Sequence, residues 1–396
     1  MNILVAWDNT NEAELLQMYL AVDGENNVAI CADRTELLGR AAGPWDVAVL
    51  AQCMPTADDG FAAFQALRAA APAVPVVLGT RTDELIGLPR FLKHGLRSYV
   101  VRDARGDFLF FLLAALESTV AAVRAERAGV LAELLRVELD GVRKLQETII
   151  PRGIRCQSGY SAAARYEPSE VNVAGGQPVV MAGGDYYEVF PADAQTLVAL
   201  VGDASGHGLK ACMSIITMHT LIRMMTQDRY TDAAGFVGDI NRRLSESAIV
   251  QSDGGFITLF YAAIDTARHL IHWTSAGHPP ALLHNRQMDT VIPVGGPHDG
   301  GLPLGITREL GYETLTAELP PGGRILIYSD GLTDALAPGG GSSGLFGVNG
   351  IVRTLKSCRD RSVDETLDAL FRDSREFTGG DGRHDDTSVV LLERNG

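Results

Sequence analysis

Four short apolar runs, far apart in the chain, each carry an aspartate at or beside one end. No other feature restricts the fold as much. Gly183-Gly184-Asp185-Tyr186-Tyr187-Glu188 opens the first run, and Leu197–Val201 leads into Gly202-Asp203-Ala204-Ser205-Gly206-His207-Gly208. Arg324–Ser329 leads into Asp330-Gly331-Leu332-Thr333-Asp334, and Asp385-Asp386-Thr387 precedes Ser388–Leu392. Runs of this length bounded by glycine read as buried strands. A single Asp-Gly after a strand is ordinarily a turn; four such sites in one chain are far more specific. Carboxylates brought together at rigid strand ends repel one another unless a cation lies between them. Oxygen donors without His or Cys favour Mg²⁺ or Mn²⁺. Two such ions, roughly 3.5–4 Å apart, bind a phosphate and lower the pKa of a bridging water. The glycines let the backbone approach, so that a carbonyl can join the ligands.

A chain of 396 residues has room for two or three domains. Its 34 basic residues against 49 acidic ones give a net charge of −15. That balance argues against nucleic acid as a partner and against an electrostatic hold on anionic membranes. The longest purely apolar stretch, Phe108–Leu116, is much shorter than the roughly 20 residues of a membrane span. Met1-Asn2-Ile3-Leu4 lacks the basic start of a secretion signal. The five cysteines are scattered with no CxxC pair, so neither a zinc site nor a disulfide framework is expected, and a reduced, cytoplasmic compartment is.

In the first third, apolar runs at Ile3–Ala6, Val28–Cys31, Asp46–Leu50, Pro75–Leu78 and Ser98–Val101 alternate with helix-like segments. That alternation predicts a parallel sheet covered on both faces, with five units suiting the flavodoxin-like order. The residues resemble the receiver domain of response regulators. Asp46–Pro55 with Asp59-Gly60 looks like the segment around the phosphorylation site, Pro75–Thr80 like the strand ending in a hydroxyl, and Gly95–Arg102 like the segment ending in the family's lysine. The chemistry departs from that pattern. Ala51 stands at the usual phosphoacceptor position, the acidic metal pair is reduced to Asp8 beside Trp7, and Arg102 replaces the lysine; Thr80 remains. An alanine methyl cannot attack a phosphoryl donor. Residues 1–116 are therefore read as a degenerate receiver, a docking or dimerisation domain or one regulated by an unphosphorylated partner.

Residues 117–150 carry interspersed charges and an apolar stripe, Leu131, Leu135, Val142, Leu145 and Ile149, at helical spacing. Glu138 interrupts the stripe, and Gly129 and Gly141 each weaken a helix by about 1 kcal/mol relative to Ala. Two readings stay open: a helix packed on its own domain, and a coiled-coil connector that dimerises and transmits a signal. Pro151 stops the helix.

Over Gln146–Glu393 the chain resembles the PPM-type metal-dependent serine/threonine phosphatases, in their bacterial SpoIIE/RsbU-like branch. The resemblance is carried by Gln146–Pro151, Gly159–Pro168, Gly183–Glu188, Gly202–Gly208, Ala276-Gly277-His278-Pro279-Pro280, Leu302–Ile306, Tyr328–Ala335 and Asp385–Thr387. It implies an α/β/β/α sandwich over 151–396. It also implies two Mn²⁺ or Mg²⁺ ions: Asp203 bridging both, the Ala204 carbonyl as a further ligand, Asp185 on one ion, and Asp330 and Asp385 on the other. Asp385 is preferred to Asp386 by its place in the motif. His207 is a candidate general acid or a support of its glycine-rich turn; His278 is read as structural. Glu188 stands where the family has Asp, Val171–Pro178 reads as a short insertion, and Ala337–Gly344 as a mobile loop. The implied activity is hydrolysis of phosphoserine or phosphothreonine on a protein. The implied substrate is a phosphorylated STAS-type anti-sigma-factor antagonist. The receiver-like domain is expected to take an activating protein, and the amphipathic stripe of residues 117–150 predicts a homodimer. The alternative is a non-catalytic metal-binding adaptor in the same kind of partner-switching circuit.

Overall fold

The computed structural model describes all residues except 23, 104–105, 152, 172–178, 181–182, 207, 252–253, 297, 340–343 and 380–384. The chain divides into two units, Met1–Leu135 and Arg136–Gly396.

In the first unit, β1 (Asn2–Ala6), β2 (Asn27–Cys31), β3 (Val47–Ala51), β4 (Val76–Arg81) and β5 (Ser98–Arg102) form a parallel sheet in the order β2-β1-β3-β4-β5. This is the flavodoxin-like order expected from the alternation. Side chains on a strand alternate between faces, so the apolar runs feed two cores. Leu4, Ala6, Ala48, Leu50, Val76 and Leu78 pack under α2 (Arg34–Arg40), α3 (Ala57–Ala70) and α4 (Leu88–Lys93). Ile3, Val5, Val47, Val49 and Val77 pack under α1 (Thr10–Leu20) and the start of α5 (Phe108–Ile149). Helix starts follow their caps: the Asn9 side chain accepts from Glu12 N–H, and Thr56 and Asp59 form a capping box.

Helix α5 is a single helix of 42 residues. The last helix of the α/β domain and the connector expected over 117–150 are thus continuous. Phe108, Leu112, Leu116 and Val120, four residues apart, are buried in the first unit's core. Beyond Val123 the helix exposes Val130, Leu131, Leu134, Leu135, Val137, Leu139 and Leu145. By length and composition alone, α5 also meets the criterion for a membrane span, a weak signal because core helices meet it too.

The second unit has two stacked sheets with helices outside. The first sheet contains β9 (Asp185–Pro191), β10 (Thr196–Ala204), β11 (Ile257–Asp265) and β12 (Leu270–Ala276), with short β15 (Gly300–Gly301) and β16 (Leu315–Glu318) beside β12. It is antiparallel apart from the β12–β15 pair. The second runs β14 (Thr290–Pro293), β13 (Leu282–Asn285), β17 (Arg324–Tyr328), β18 (Thr387–Arg394), β6 (Tyr160–Glu167), all antiparallel. A small ribbon joins β7 (Glu170–Val171) and β8 (Val179–Val180). Tyr187, Leu197, Ala199, Val201, Phe260 and Trp273 of the first sheet meet Ile325, Ile327, Val390 and Leu392 of the second in the central core. Val198, Leu200, Leu259 and Tyr261 face outward under α6 (Leu209–Arg223) and α7 (Ala233–Leu244), near the short α8 (Ala248–Gln251). Leu326, Tyr328, Val389 and Leu391 face α10 (Gly347–Ser357) and α11 (Val363–Phe377). The layers are α/β/β/α.

Candidate active site

The strand ends expected to meet do so where the two sheets of the second unit come together. In the antiparallel β9–β10 pair, Asp185 and Asp203 stand directly opposite each other. Ala204 N–H donates to the Gly184 carbonyl at 2.8 Å. A Cβ at Gly184 would lie 2.7 Å from the Ala204 carbonyl oxygen and 3.2 Å from Asp203 Oδ1, so only glycine lets the two turns close on each other. In the second sheet, Ser329 N–H donates to the Ser388 carbonyl, and Ser388 N–H donates to Ser329 Oγ, both at 2.9 Å. Ser329 Oγ then donates to Asp185 Oδ2 at 2.5 Å, tying β17 to β9. Asp330 opens the one-turn helix α9 (Asp330–Thr333) immediately after β17. Asp385 lies just before β18.

Among the described residues, the electrostatics are those of carboxylates without enough counter-charge. Burial, then the charges of Asp330, Asp385 and Asp386, push Asp203 up to about 8. Asp185 is 1 % exposed and is raised well above the usual range by burial, then by Asp203 and Asp386. Burial also raises Asp385 to about 6, against a hydrogen bond from Asp386 N–H, with Asp330 adding to the rise. Asp330 is raised by burial and by Asp334. Each group resists ionising first because it is buried and then because acids lie near it, the condition a cation relieves. Among the described residues, no three Asp, Glu, His or Cys side chains stand together in a way that encloses an ion. They are held instead on protein donors, Asp185 on Ser329 and Asp385 on the Asp386 amide, within Coulombic reach of a common centre. The donor set is entirely oxygen and sits beside two close backbone approaches, at Gly184 and Gly331, which fits hard divalent ions.

The two adjacent aspartates divide cleanly. Asp386 is 3 % exposed, and its carboxylate accepts from Ser169 N–H at 2.7 Å and Gly184 N–H at 2.6 Å. Both of its oxygens are engaged with backbone, whereas Asp385 is exposed at the rim. A Cβ on Gly331 would fall 1.9 Å from the Asp386 carbonyl oxygen, so the turn after Asp330 is packed hard onto this residue.

Gln146, at the end of α5, supports the site from beneath. It is 1 % exposed, accepts from Gly183 N–H at 2.8 Å, and donates from Nε2 to the Gly183 and Asp185 carbonyls at 3.1 and 3.4 Å. Its amide thus sets the backbone that carries Asp185. His278 is buried, with Nδ1 2.9 Å from Thr258 Oγ1 and Nε2 3.1 Å from the Tyr328 carbonyl. Burial, against the Tyr328 contact, holds it down to about 3, so it is a neutral strut between sheets. Glu188 is buried and paired with Arg223 of α6. His207 and most of Val171–Pro178 lie outside the described residues. The ends of the Ala337–Gly344 segment are closed by Ala337 N–H to the Gly344 carbonyl at 2.9 Å, and residues 340–343 lie outside the described ones.

Ser329 and the supporting roles of Asp386 and Gln146 are not evident from the sequence. Ser329 carried one signal, a polar residue closing a buried strand; Asp386 differs from Asp385 only in where its side chain points.

In the first unit, Ala51 is buried at the end of β3, and Asp8 is bound to Arg102 at 2.7 Å and Arg81 at 3.1 Å. Thr80 is buried, with its hydroxyl donating to the Arg81 carbonyl.

Comparison with known proteins bears on the fold and the family. The phosphoserine phosphatase RsbP of Bacillus subtilis (strain 168) is 26% identical over 265 residues, covering 65% of this chain and 57% of that protein. The phosphoserine phosphatase RsbU of the same organism is 26% identical over 220 residues, covering 55% of this chain and 61% of that protein. The chain thus spans less than two thirds of the length of these curated relatives. Two solved structures share the fold. The SiaA-PP2C domain of Pseudomonas aeruginosa matches with TM-score 0.52 and 16% identity over 66% of this chain and 98% of that one. The RsbU and RsbW domains of Rv1364c from Mycobacterium tuberculosis match with TM-score 0.50 and 24% identity over 62% and 63%. The family model for stage II sporulation protein E (SpoIIE) matches residues 193–395, half of the chain and a segment that includes Asp203, Asp330 and Asp385. The chain belongs to the SpoIIE family.

Proposed function

We propose that this protein is a metal-dependent serine/threonine phosphatase that hydrolyses phosphoserine or phosphothreonine on a regulatory protein. The observation that carries the reading is the placement of Asp185, Asp203, Asp330 and Asp385 at the strand ends of one sandwich edge, with Asp185 opposite Asp203 and tied to β17 through Ser329, each carboxyl raised by burial. Two Mg²⁺ or Mn²⁺ ions, when bound, supply positive charge for the phosphate and acidify a water. Asp203, the Ala204 carbonyl, Asp185, Asp330 and Asp385 would hold them. Ser329 and Gln146 orient Asp185, and Asp386 fixes the Gly184 turn. His207 is retained as a candidate proton donor to the leaving oxygen.

By likeness to RsbP and RsbU, the substrate proposed is a phosphorylated STAS-type antagonist in a partner-switching circuit. Residues 1–116 are proposed as a degenerate receiver that takes an activating protein rather than a phosphoryl group, 117–150 as the connector, and 151–396 as the phosphatase domain. The exposed Leu131, Leu134, Leu135 and Val137 support a homodimer through α5. Sedimentation of a Leu131→Lys/Leu134→Lys variant tests that part; an unchanged mass overturns it. Phosphate release from an aryl phosphate and from a phosphoserine protein, with and without Mn²⁺, tests the main reading. Metal-dependent release lost in Asp203→Asn is expected. Tight Mn²⁺ binding by the whole chain with no turnover of either substrate would favour the adaptor.

A further inference from the structure

The crevice at the carboxyl ends of β1, β3, β4 and β5 is where an open α/β sheet of this order binds ligands. The receiver resemblance implies a divalent ion there, and the residues present do not fit one. Trp7 fills the position beside Asp8, and its ring packs so closely on Gly79 that a Cβ there would lie 2.1 Å from it. The remaining carboxylates already have a cation. Arg102, with its side chain 3% exposed, donates from Nη1 to Asp8 Oδ1 at 2.7 Å and from Nη2 to Glu12 Oε2 at 2.5 Å. Arg81 takes the other Asp8 oxygen at 3.1 Å, and Trp7 Nε1 donates to Glu12 at 2.9 Å. The carboxylates of Asp8 and Glu12 thus each already hold a guanidinium.

The same guanidinium reaches the long helix. Its Cζ lies 4.5 Å from the centre of the Trp7 ring, a cation–π contact. Trp7 in turn stacks on Phe108, with ring centres 6.3 Å apart and planes within 9° of parallel. Phe108 is the first residue of α5, and its N–H donates to Asp103 Oδ1 at 3.2 Å. An unbroken series of contacts therefore runs from Asp8 and Glu12 through Arg102 and Trp7 to the first turn of α5.

We propose that Arg102 is a tethered cation standing in for a metal ion in this crevice, closing the first unit to divalent ions and phosphoryl donors and fixing the start of α5 through Trp7 and Phe108. The inference rests on the degenerate-receiver part of the reading above and is independent of the phosphatase chemistry. The domain then holds one state permanently, and its influence on the rest of the chain is altered by a partner that binds it. Lysine would not serve as well. A point ammonium can satisfy one carboxylate strongly but lacks the planar fork that spans two and stacks on an indole.

Hydrogen exchange of the full-length protein, read on peptides covering 2–16 and 98–116, tests the proposal without reference to activity. In the wild type, millimolar Mg²⁺ should leave these peptides unchanged; protection by Mg²⁺ would overturn the proposal. In Arg102→Ala, both peptides should exchange faster by roughly tenfold, as expected when a buried pair loses one partner, and Mg²⁺ should restore much of the protection. Wild-type exchange in the variant would overturn the proposal. So would acceleration that Mg²⁺ does not touch, since that marks an ordinary structural ion pair. Should Arg102→Ala fail to fold, Arg102→Lys should show faster exchange at 98–116 with no response to Mg²⁺, and wild-type behaviour there would overturn the role assigned to the guanidinium. Incubation with acetyl phosphate separates the two readings: a covalent phosphate on residues 1–116 would refute the degenerate receiver itself, whatever the exchange shows.

Discussion

Both units place carboxylates at strand ends, and they neutralise them in opposite ways. In the first, Asp8 and Glu12 meet Arg102 and Arg81. Burial raises the Glu12 carboxyl, but hydrogen bonds from Trp7 and Arg102 outweigh it and hold the group below its usual range. In the second, none of Asp185, Asp203, Asp330 and Asp385 has a comparable partner among the described residues, and Asp203 is pushed up to about 8. A cation built into the chain makes a site inert. A cation left out makes a site that must recruit one, and chemistry becomes available only in the second case.

The largest effect that can test this contrast is removal of the Asp203 carboxylate. Asp203→Asn should lower metal-dependent phosphate release by about 10³-fold or more, measured with an aryl phosphate at saturating Mn²⁺. Retained activity would break the assignment of Asp203. Next is the response to metal itself. Mn²⁺ at about 100 times its dissociation constant should stabilise the second unit by roughly 2.7 kcal/mol, seen as slower exchange in β9, β10 and β18 with none in β1–β5. Asp386→Asn should come third. It puts an amide NH₂ against the Ser169 or Gly184 N–H and should cost about 1–3 kcal/mol in urea unfolding, with or without metal. Asp385→Asn, in contrast, should leave metal-free stability unchanged or raised. Reversed results would exchange the roles of the two residues.

The smallest effect is in pH dependence. The His278 value of about 3 lies below the ordinary 6.5, so the folded form resists a proton that the unfolded form accepts. Its contribution is present above pH 6.5 and is lost as pH falls toward 3. His278→Gln should therefore flatten the slope of unfolding free energy against pH between about 6.5 and 4.5. Glu12 in the first unit has the same sign but begins to act only below its ordinary value of 4.5, and Glu12→Gln should leave the slope above pH 5 as it was.

Much of this was legible in the sequence because it rests on periodicity. The five apolar runs and their spacing give the parallel sheet, and the apolar run from Leu197 gives the strand that carries Asp203. The structure extends that strand through Ala204, because Asp203 and Ala204 pair with Thr258 and Ile257 on the neighbouring strand. What periodicity cannot carry is side-chain direction. Asp385 and Asp386 are the same residue type one position apart, and only the backbone N–H groups of Ser169 and Gly184, far away in the chain, distinguish them. Arg102 likewise looked like a lost lysine. That it spans Asp8 and Glu12 depends on helix α1 placing Glu12 over the end of β1, a tertiary fact.

The contact between Gly331 and the Asp386 carbonyl has a consequence in the language of genes. Every single-base change of a glycine codon that alters the encoded residue adds at least a Cβ, and here that atom would sit 1.9 Å from a backbone oxygen. No replacement of this glycine by another residue avoids that contact. Alleles that silence the protein will collect at residue 331, which has no side chain to contribute, alongside those at the acids.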